Sequence, residues 1–181
     1  MVFETERLIL RPWRESDAEY LYKYASSPLV GPLAGWQAHN DVEQSKEVIK
    51  TVLSAPETYA VVLKSVGHAV GSICIMTGDN SNISIPKSEG EIGYWIGVPF
   101  WGQGLIPEAV CEMLRRAFED LRLKKVWCGY FDGNEKSRRV QEKCGFTYKY
   151  TLPDVPWPML NDVKTLHLSY ITKKEWKSRT K

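Results

Sequence analysis

Residues 91–109 constrain the fold more than any other stretch. A β-branched and aromatic run, Glu91-Ile92-Gly93-Tyr94-Trp95-Ile96-Gly97-Val98, leads through Pro99-Phe100-Trp101 into two glycines, Gly102 and Gly104. After Pro107, the residues Val110, Met113, Leu114, Ala117, Phe118 and Leu121 recur on one apolar helical face, which predicts a helix over 107–121 with proline in its first turn. Strand, glycine turn and helix therefore follow one another without a linker. Glycines allow a tight turn and close approach of a ligand to the backbone. The unpaired N–H groups and positive dipole end of a helix start favour an anion, and a pyrophosphate is a suitable one. On these residues alone a purely structural turn fits equally well. No Gly-Lys-Ser/Thr follows, and the third glycine of the dinucleotide fingerprint is missing.

The remaining pattern alternates between the two periods. Residues 7–12 read as a first strand. Ser16 and Glu19 are spaced as a capping box for a helix through about residue 25. Asn40 or Asp41 starts a second helix toward Leu53. Residues 58–63 and 69–76 form a hairpin around Gly67. Strands follow at 91–98, 126–130, 146–151 and 164–171, and Asn134 to Cys144 is a helix stopped by Gly145. Loops at 28–39, 77–89 and 153–162 connect these elements. No repeat or linker interrupts the 181 residues, so a single domain over 1–181 is expected.

Composition narrows the function classes. Hydrophobic residues make up 43% and charged residues 25%, a globular balance. A net charge of +2 gives no electrostatic case for nucleic acid or anionic membranes. The basic run Lys173, Lys174, Lys177, Arg179 and Lys181 reads as a solvated, fraying end. Lys64 breaks the apolar stretch at 59–76, and the charged start, Glu4, Glu6 and Arg7, does not fit a secretory signal, so a cytoplasmic protein is expected. Cys74, Cys111, Cys128 and Cys144 are scattered without a C-x-x-C pair and read as reduced, mostly buried thiols; no metal is expected.

Trp101-Gly102-Gln103-Gly104-Leu105-Ile106-Pro107-Glu108-Ala109, followed by Asn134-Glu135-Lys136-Ser137 and Glu142-Lys143-Cys144-Gly145-Phe146, resembles the GNAT superfamily of N-acetyltransferases. The opening Glu4-Thr5-Glu6-Arg7-Leu8-Ile9-Leu10-Arg11-Pro12 and the strand Ile92-Gly93-Tyr94-Trp95 look like its RimJ/RimL-type branch, whose named members acetylate ribosomal-protein N-termini. The resemblance implies an α/β (α+β) GNAT-type fold: a central mixed, mostly antiparallel seven-stranded sheet, splayed at the middle strands, with about four helices on both faces. It implies acetyl-CoA as cofactor, with the backbone of Ile96, Gly97 and Val98 pairing with the pantetheine arm. Gly102, Gln103, Gly104, Leu105, Ile106 and Pro107 would then hold the pyrophosphate. Trp101 and Ile106 depart from the family's loop pattern; Ile106 is tolerable if its side chain points inward.

The same resemblance gives Asn134 a bond to cofactor or acceptor, alongside its plain reading as an N-cap. Ser137 is the candidate acid for the departing thiolate, or only a cofactor contact; Gln141 stands where many relatives carry a Tyr. For the base there are two candidates. Glu91 is either that base or an exposed strand-end charge; His39, in the loop with Trp36, is either the base or a surface residue. The Val98 N–H could polarise the carbonyl. The function implied is acetyl transfer to a primary amine by direct attack in a ternary complex. The acceptor would be a protein N-terminus, a ribosomal one included, or a small amine, with no nucleic acid or membrane partner. A non-catalytic acyl-CoA sensor is the alternative. No oligomeric state follows from the residues.

Overall fold

Alternating apolar positions at Leu8 and Leu10, and the continuous run at 58–63, explain where the sheet begins. A computed structural model describes residues 1–179. Eight strands form one sheet: β1 (Phe3–Glu4), β2 (Leu8–Arg11), β3 (Thr58–Leu63), β4 (His68–Thr77), β5 (Glu89–Ile96), β6 (Lys125–Phe131), β7 (Thr147–Trp157) and β8 (Asp162–Thr172). Their order across the sheet is β1-β2-β3-β4-β5-β6-β8-β7. Among the described residues six helices accompany them: α1 (Ala18–Ala25), α2 (Gly31–Ala34), α3 (Val42–Thr51), α4 (Leu105–Arg115), α5 (Glu135–Cys144) and α6 (Lys173–Arg179). β1 with β2, β2 with β3, β3 with β4, β6 with β8 and β7 with β8 pair antiparallel, whereas β5 and β6 run parallel and match at three positions, from Glu89↔Lys125 to Glu91↔Trp127.

The architecture is therefore the mixed, mostly antiparallel α/β fold expected, with eight strands in place of seven and six helices in place of four. The extra strand, β1, is two residues long and lacks any periodicity a sequence could show; it exists because Phe3 pairs with Leu10. The extra helices α2 and α6 are four and seven residues long. Over its described part the basic end is helical, with Lys174, Lys177 and Arg179 exposed as expected. Trp176 of α6 packs 5.4 Å from the Phe118 ring, and the Lys173 ammonium bonds the Phe118 carbonyl. Lys181 lies outside the described residues.

The chain divides into two compact units, Met1–Cys74 with Tyr94–Ala109, and Ile75–Gly93 with Val110 onward. In the first, Trp13, Leu21, Ala25, Ile49 and Val62 form a buried core flanked by Trp36 and Trp95. The expected capping box at Ser16 is not formed. Asp17 instead accepts the Arg14 N–H at 2.9 Å and a two-pronged ion pair from Arg11 at 2.7 Å, charge-assisted bonds stronger than a neutral serine cap. Asp41 does cap α3, accepting the Gln44 N–H at 2.7 Å.

The core of the second unit gathers Trp127, Phe131, Leu160, Leu166 and Leu168. Its α4 face is buried as the apolar spacing requires, and a π-turn at Arg116–Asp120 extends it. Strand β7 runs six residues past its expected end, through Pro153 and Pro156. Proline cannot donate to a ladder, but β7 is the last strand in the order, and its register slips between Leu152 and Val155.

Candidate functional site

Backbone amides that the fold leaves unpaired are the natural place to look for a ligand. In the first unit they cluster between β5 and α4. Gly102 and Gly104 take φ of +76° and +74°, a left-handed region that favours glycine, and so aim successive N–H groups out of the turn. Among the described residues the N–H groups of Gly102, Gln103 and Gly104 make no hydrogen bond. Space over Gly102 is open, with nothing within 4 Å of where a Cβ would sit. Leu105 and Ile106 are buried, so the Ile106 side chain does point inward, away from the exposed side of the turn. Pro107 has no N–H to give and shapes the first turn of α4 instead. Unpaired amides, a helix start and open approach together fit a pyrophosphate.

The turn is held from behind. Gln103 donates its side-chain amide to the Pro99 carbonyl at 2.9 Å, and its own carbonyl accepts from the Arg7 guanidinium at 2.9 Å. Arg7 also pairs with Glu108 at 2.7 Å, while the Arg7 N–H (2.8 Å) and the Thr5 hydroxyl (2.5 Å) bond the other Glu108 oxygen. Burial opposes ionisation of Glu108, but the bonds from Thr5 and Arg7 outweigh it and hold its carboxyl below the usual carboxylate value. Sequence reasoning missed this brace because about a hundred residues separate Arg7 from Glu108. If the turn holds the diphosphate of acetyl-CoA, as the resemblance implies, Arg7→Ala should raise the acetyl-CoA dissociation constant about 3- to 10-fold, since a charge-assisted hydrogen bond contributes about 1.5–3 kcal/mol, of which only part reaches the turn. Titration calorimetry of the purified variant checks this.

The end of β5 is engaged in an orderly way. The Gly97 N–H donates to the Val70 carbonyl at 2.8 Å, and the Trp101 indole donates to the Ile96 carbonyl at 2.9 Å. Gly97 is required by packing: a Cβ there would sit 2.6 Å from the Tyr24 ring. That leaves the Val98 N–H, which makes no hydrogen bond among the described residues.

His39 is not a surface residue. It is buried, its Nδ1 lies 2.8 Å from the Ser45 hydroxyl, and its ring lies 5.2 Å from Trp36, which in turn meets Trp95 edge-on at 5.7 Å. Burial among these groups lowers its pKa, so the imidazole is neutral at pH 7.

In the second unit, Asn134 caps α5, accepting the Ser137 N–H at 3.2 Å, and Gly145 closes the helix with φ +88°. The Gln141 side chain, almost wholly buried, donates to the Ser137 hydroxyl at 3.5 Å. Asn134, Ser137 and Gln141 thus adjoin along one helix. Glu91 is directed elsewhere in the same unit. It is buried rather than an exposed strand end, and its carboxylate accepts from the Ser81 hydroxyl and Asn82 N–H, both at 2.7 Å, and from the Asn82 amide at 3.2 Å. The cysteines, expected to be mostly buried, divide evenly: Cys128 and Cys144 are buried, Cys74 is half-buried and Cys111 is exposed on α4. Among the described residues no group of three His, Cys, Asp or Glu could hold a metal, and no helix is long and apolar enough to cross a membrane.

Comparison with known proteins adds to this geometry. A family model described as an acetyltransferase (GNAT) domain matches residues 7–147. A Bacillus subtilis protein provisionally named ribosomal N-acetyltransferase YdaF is 42% identical over 76 residues, which is 42% of this chain and 41% of that protein. The N-acetyltransferase p20 of Bacillus licheniformis, named as uncharacterized, is 27% identical over 155 residues, covering 83% of this chain and 84% of its own length. Among solved structures, a GNAT-family acetyltransferase from Bacillus anthracis superposes with a TM-score of 0.83 at 21% identity, covering 97% of this chain and all of the other, a likeness of fold.

Proposed function

Since this chain belongs to the acetyltransferase (GNAT) family, we propose that it transfers an acetyl group from acetyl-CoA to a primary amine by direct attack in a ternary complex. The observation that carries this is the turn at Gly102–Gly104, whose three unpaired amides lead into α4 and offer a diphosphate its natural donors. Acetyl-CoA supplies an activated thioester, so the chain's own residues need only bind, orient and move protons. The Gly102–Pro107 turn holds the pyrophosphate, and Ile96, Gly97 and Val98 line the pantetheine arm. The Val98 N–H faces the carbonyl as a fixed donor. His39, neutral because it is buried, takes the proton that the attacking ammonium must lose. Ser137 passes its proton to the departing thiolate and takes one from the newly acylated nitrogen as the intermediate collapses, so that no alkoxide is left, and Asn134 fixes the helix start from which it does so. Glu91, with its oxygens engaged by Ser81 and Asn82, orders the loop beside β5 rather than acting as the base.

The acceptor is a protein N-terminus of the ribosomal-protein type. Support comes from the RimJ/RimL-like opening and from the YdaF likeness over part of its length. Acetyl-CoA-dependent thiol release, measured over a panel of N-terminal peptides and small amines, tests both levels. Release with peptides alone is the expected result. Release with polyamines or amino acids alone would replace the acceptor class, and binding without release on any amine would turn the enzyme into an acyl-CoA sensor.

A further inference from the structure

A neutral imidazole can serve as a base only through the nitrogen that carries no hydrogen, so the tautomer of His39 decides whether it can act at all. The ring is flanked by a hydrogen-bonded chain inside the first unit. His39 Nδ1 lies 2.8 Å from the Ser45 hydroxyl oxygen, and that same hydroxyl lies 3.2 Å from the Asp41 carbonyl, one turn earlier in the chain. Ser45 is fully buried and His39 nearly so, so no bulk water substitutes for either bond.

A serine hydroxyl has one hydrogen, and a carbonyl can only accept. Two bonds form only if Ser45 donates to Asp41 and accepts from Nδ1–H. The opposite arrangement, with Ser45 donating to Nδ1, gives up the bond to Asp41 in a place where a lost bond is costly. The fold also secures the remaining partners. Asp41 caps α3 through the Gln44 N–H, which fixes the carbonyl that Ser45 addresses, and the His39 N–H donates to the Ala25 carbonyl at 3.1 Å. Among the described residues Nε2 has no hydrogen-bond partner.

We propose that Ser45 is a positioning residue that holds His39 in the Nδ1–H tautomer, so that the Nε2 lone pair is presented as the proton acceptor for the incoming amine. The idea rests on the assignment of His39 as the base. Ser45 acts on the reaction only through the His39 ring, by way of a hydroxyl bonded to His39 and to the Asp41 carbonyl.

The ring nitrogens of His39 can be read directly by ¹⁵N NMR of the full chain. Wild-type protein near pH 8 should show a protonated Nδ1 and a bare Nε2. Ser45→Ala should move the ring toward the Nε2–H form and lower kcat/KM for the amine about 10-fold, leaving the acetyl-CoA dissociation constant unchanged. Ser45→Thr, which keeps the hydroxyl, should recover the wild-type tautomer and most of the activity, which separates loss of the bond from loss of folding. An Nε2–H ring in the wild type, or an Nδ1–H ring that persists in Ser45→Ala, overturns the positioning role. If the tautomer is as stated but His39→Gln retains full kcat/KM, the base assignment falls, and with it the catalytic meaning of Ser45.

Discussion

Gly104→Val is expected to weaken acetyl-CoA binding about 30- to 100-fold while the protein remains folded. Gly104 sits at φ +74°, and an L-residue in that region costs about 1–2 kcal/mol, more when the side chain is β-branched. The turn can relieve this strain only by rotating its peptide planes, which turns the Gly102–Gly104 amides away from a common target. Each ~1.4 kcal/mol lost is a tenfold loss of affinity. Steric crowding adds little, because the atom closest to a Cβ there is an Arg7 guanidinium nitrogen at 3.7 Å, ordinary contact distance. Calorimetry with acetyl-CoA, beside a thermal melt, separates the two effects. A variant that binds as tightly as the wild type would remove the turn from the cofactor site.

The second large effect belongs to turnover. Ser137→Ala should lower kcat by about 10²-fold, at the lower end of what general acid help supplies, with the acetyl-CoA dissociation constant within about threefold of wild type. The cap of α5 survives the substitution. Asn134 accepts the backbone N–H of Ser137, which alanine keeps, and alanine is the best helix former, while Gln141 loses the hydroxyl to which it donates. Stopped-flow or steady-state thiol release reads the rate. Unchanged turnover would leave Ser137 as a contact only.

Local signals were legible and distant ones were not. Asn134 and Gly145 bracket α5 because capping is decided within a few residues of the chain, and the structure places both ends as the sequence implied. Gly67 marks the β3–β4 hairpin for the same reason. The glycine turn before α4 could be read from spacing alone, yet nothing there discloses that Arg7 and Glu108 brace it, since that pairing exists only after folding. Glu91 shows the same limit in reverse: its place in a strand is plain, whereas its burial depends on Ser81 and Asn82 folding back over it. The burial of His39 likewise follows from α3 closing against its loop, and no periodicity in 28–39 encodes it. Strand β7 outruns its sequence pattern because the rule that prolines end a strand relaxes at the margin of a sheet.

Those prolines bear on how the molecule behaves when crowded. An open sheet has two outer margins, and each is a template on which a stray strand can dock. Here one margin is β1, only two residues long, too brief to seed a ladder. The other is β7, where Pro153 and Pro156 lack donors and the backbone at Asp154 turns to φ +54°. An intruding chain finds its hydrogen-bonding rhythm broken midway, so side-by-side stacking of copies into fibrils is discouraged at both ends, even though Tyr148, Tyr150 and Leu152 leave greasy surface in the open there.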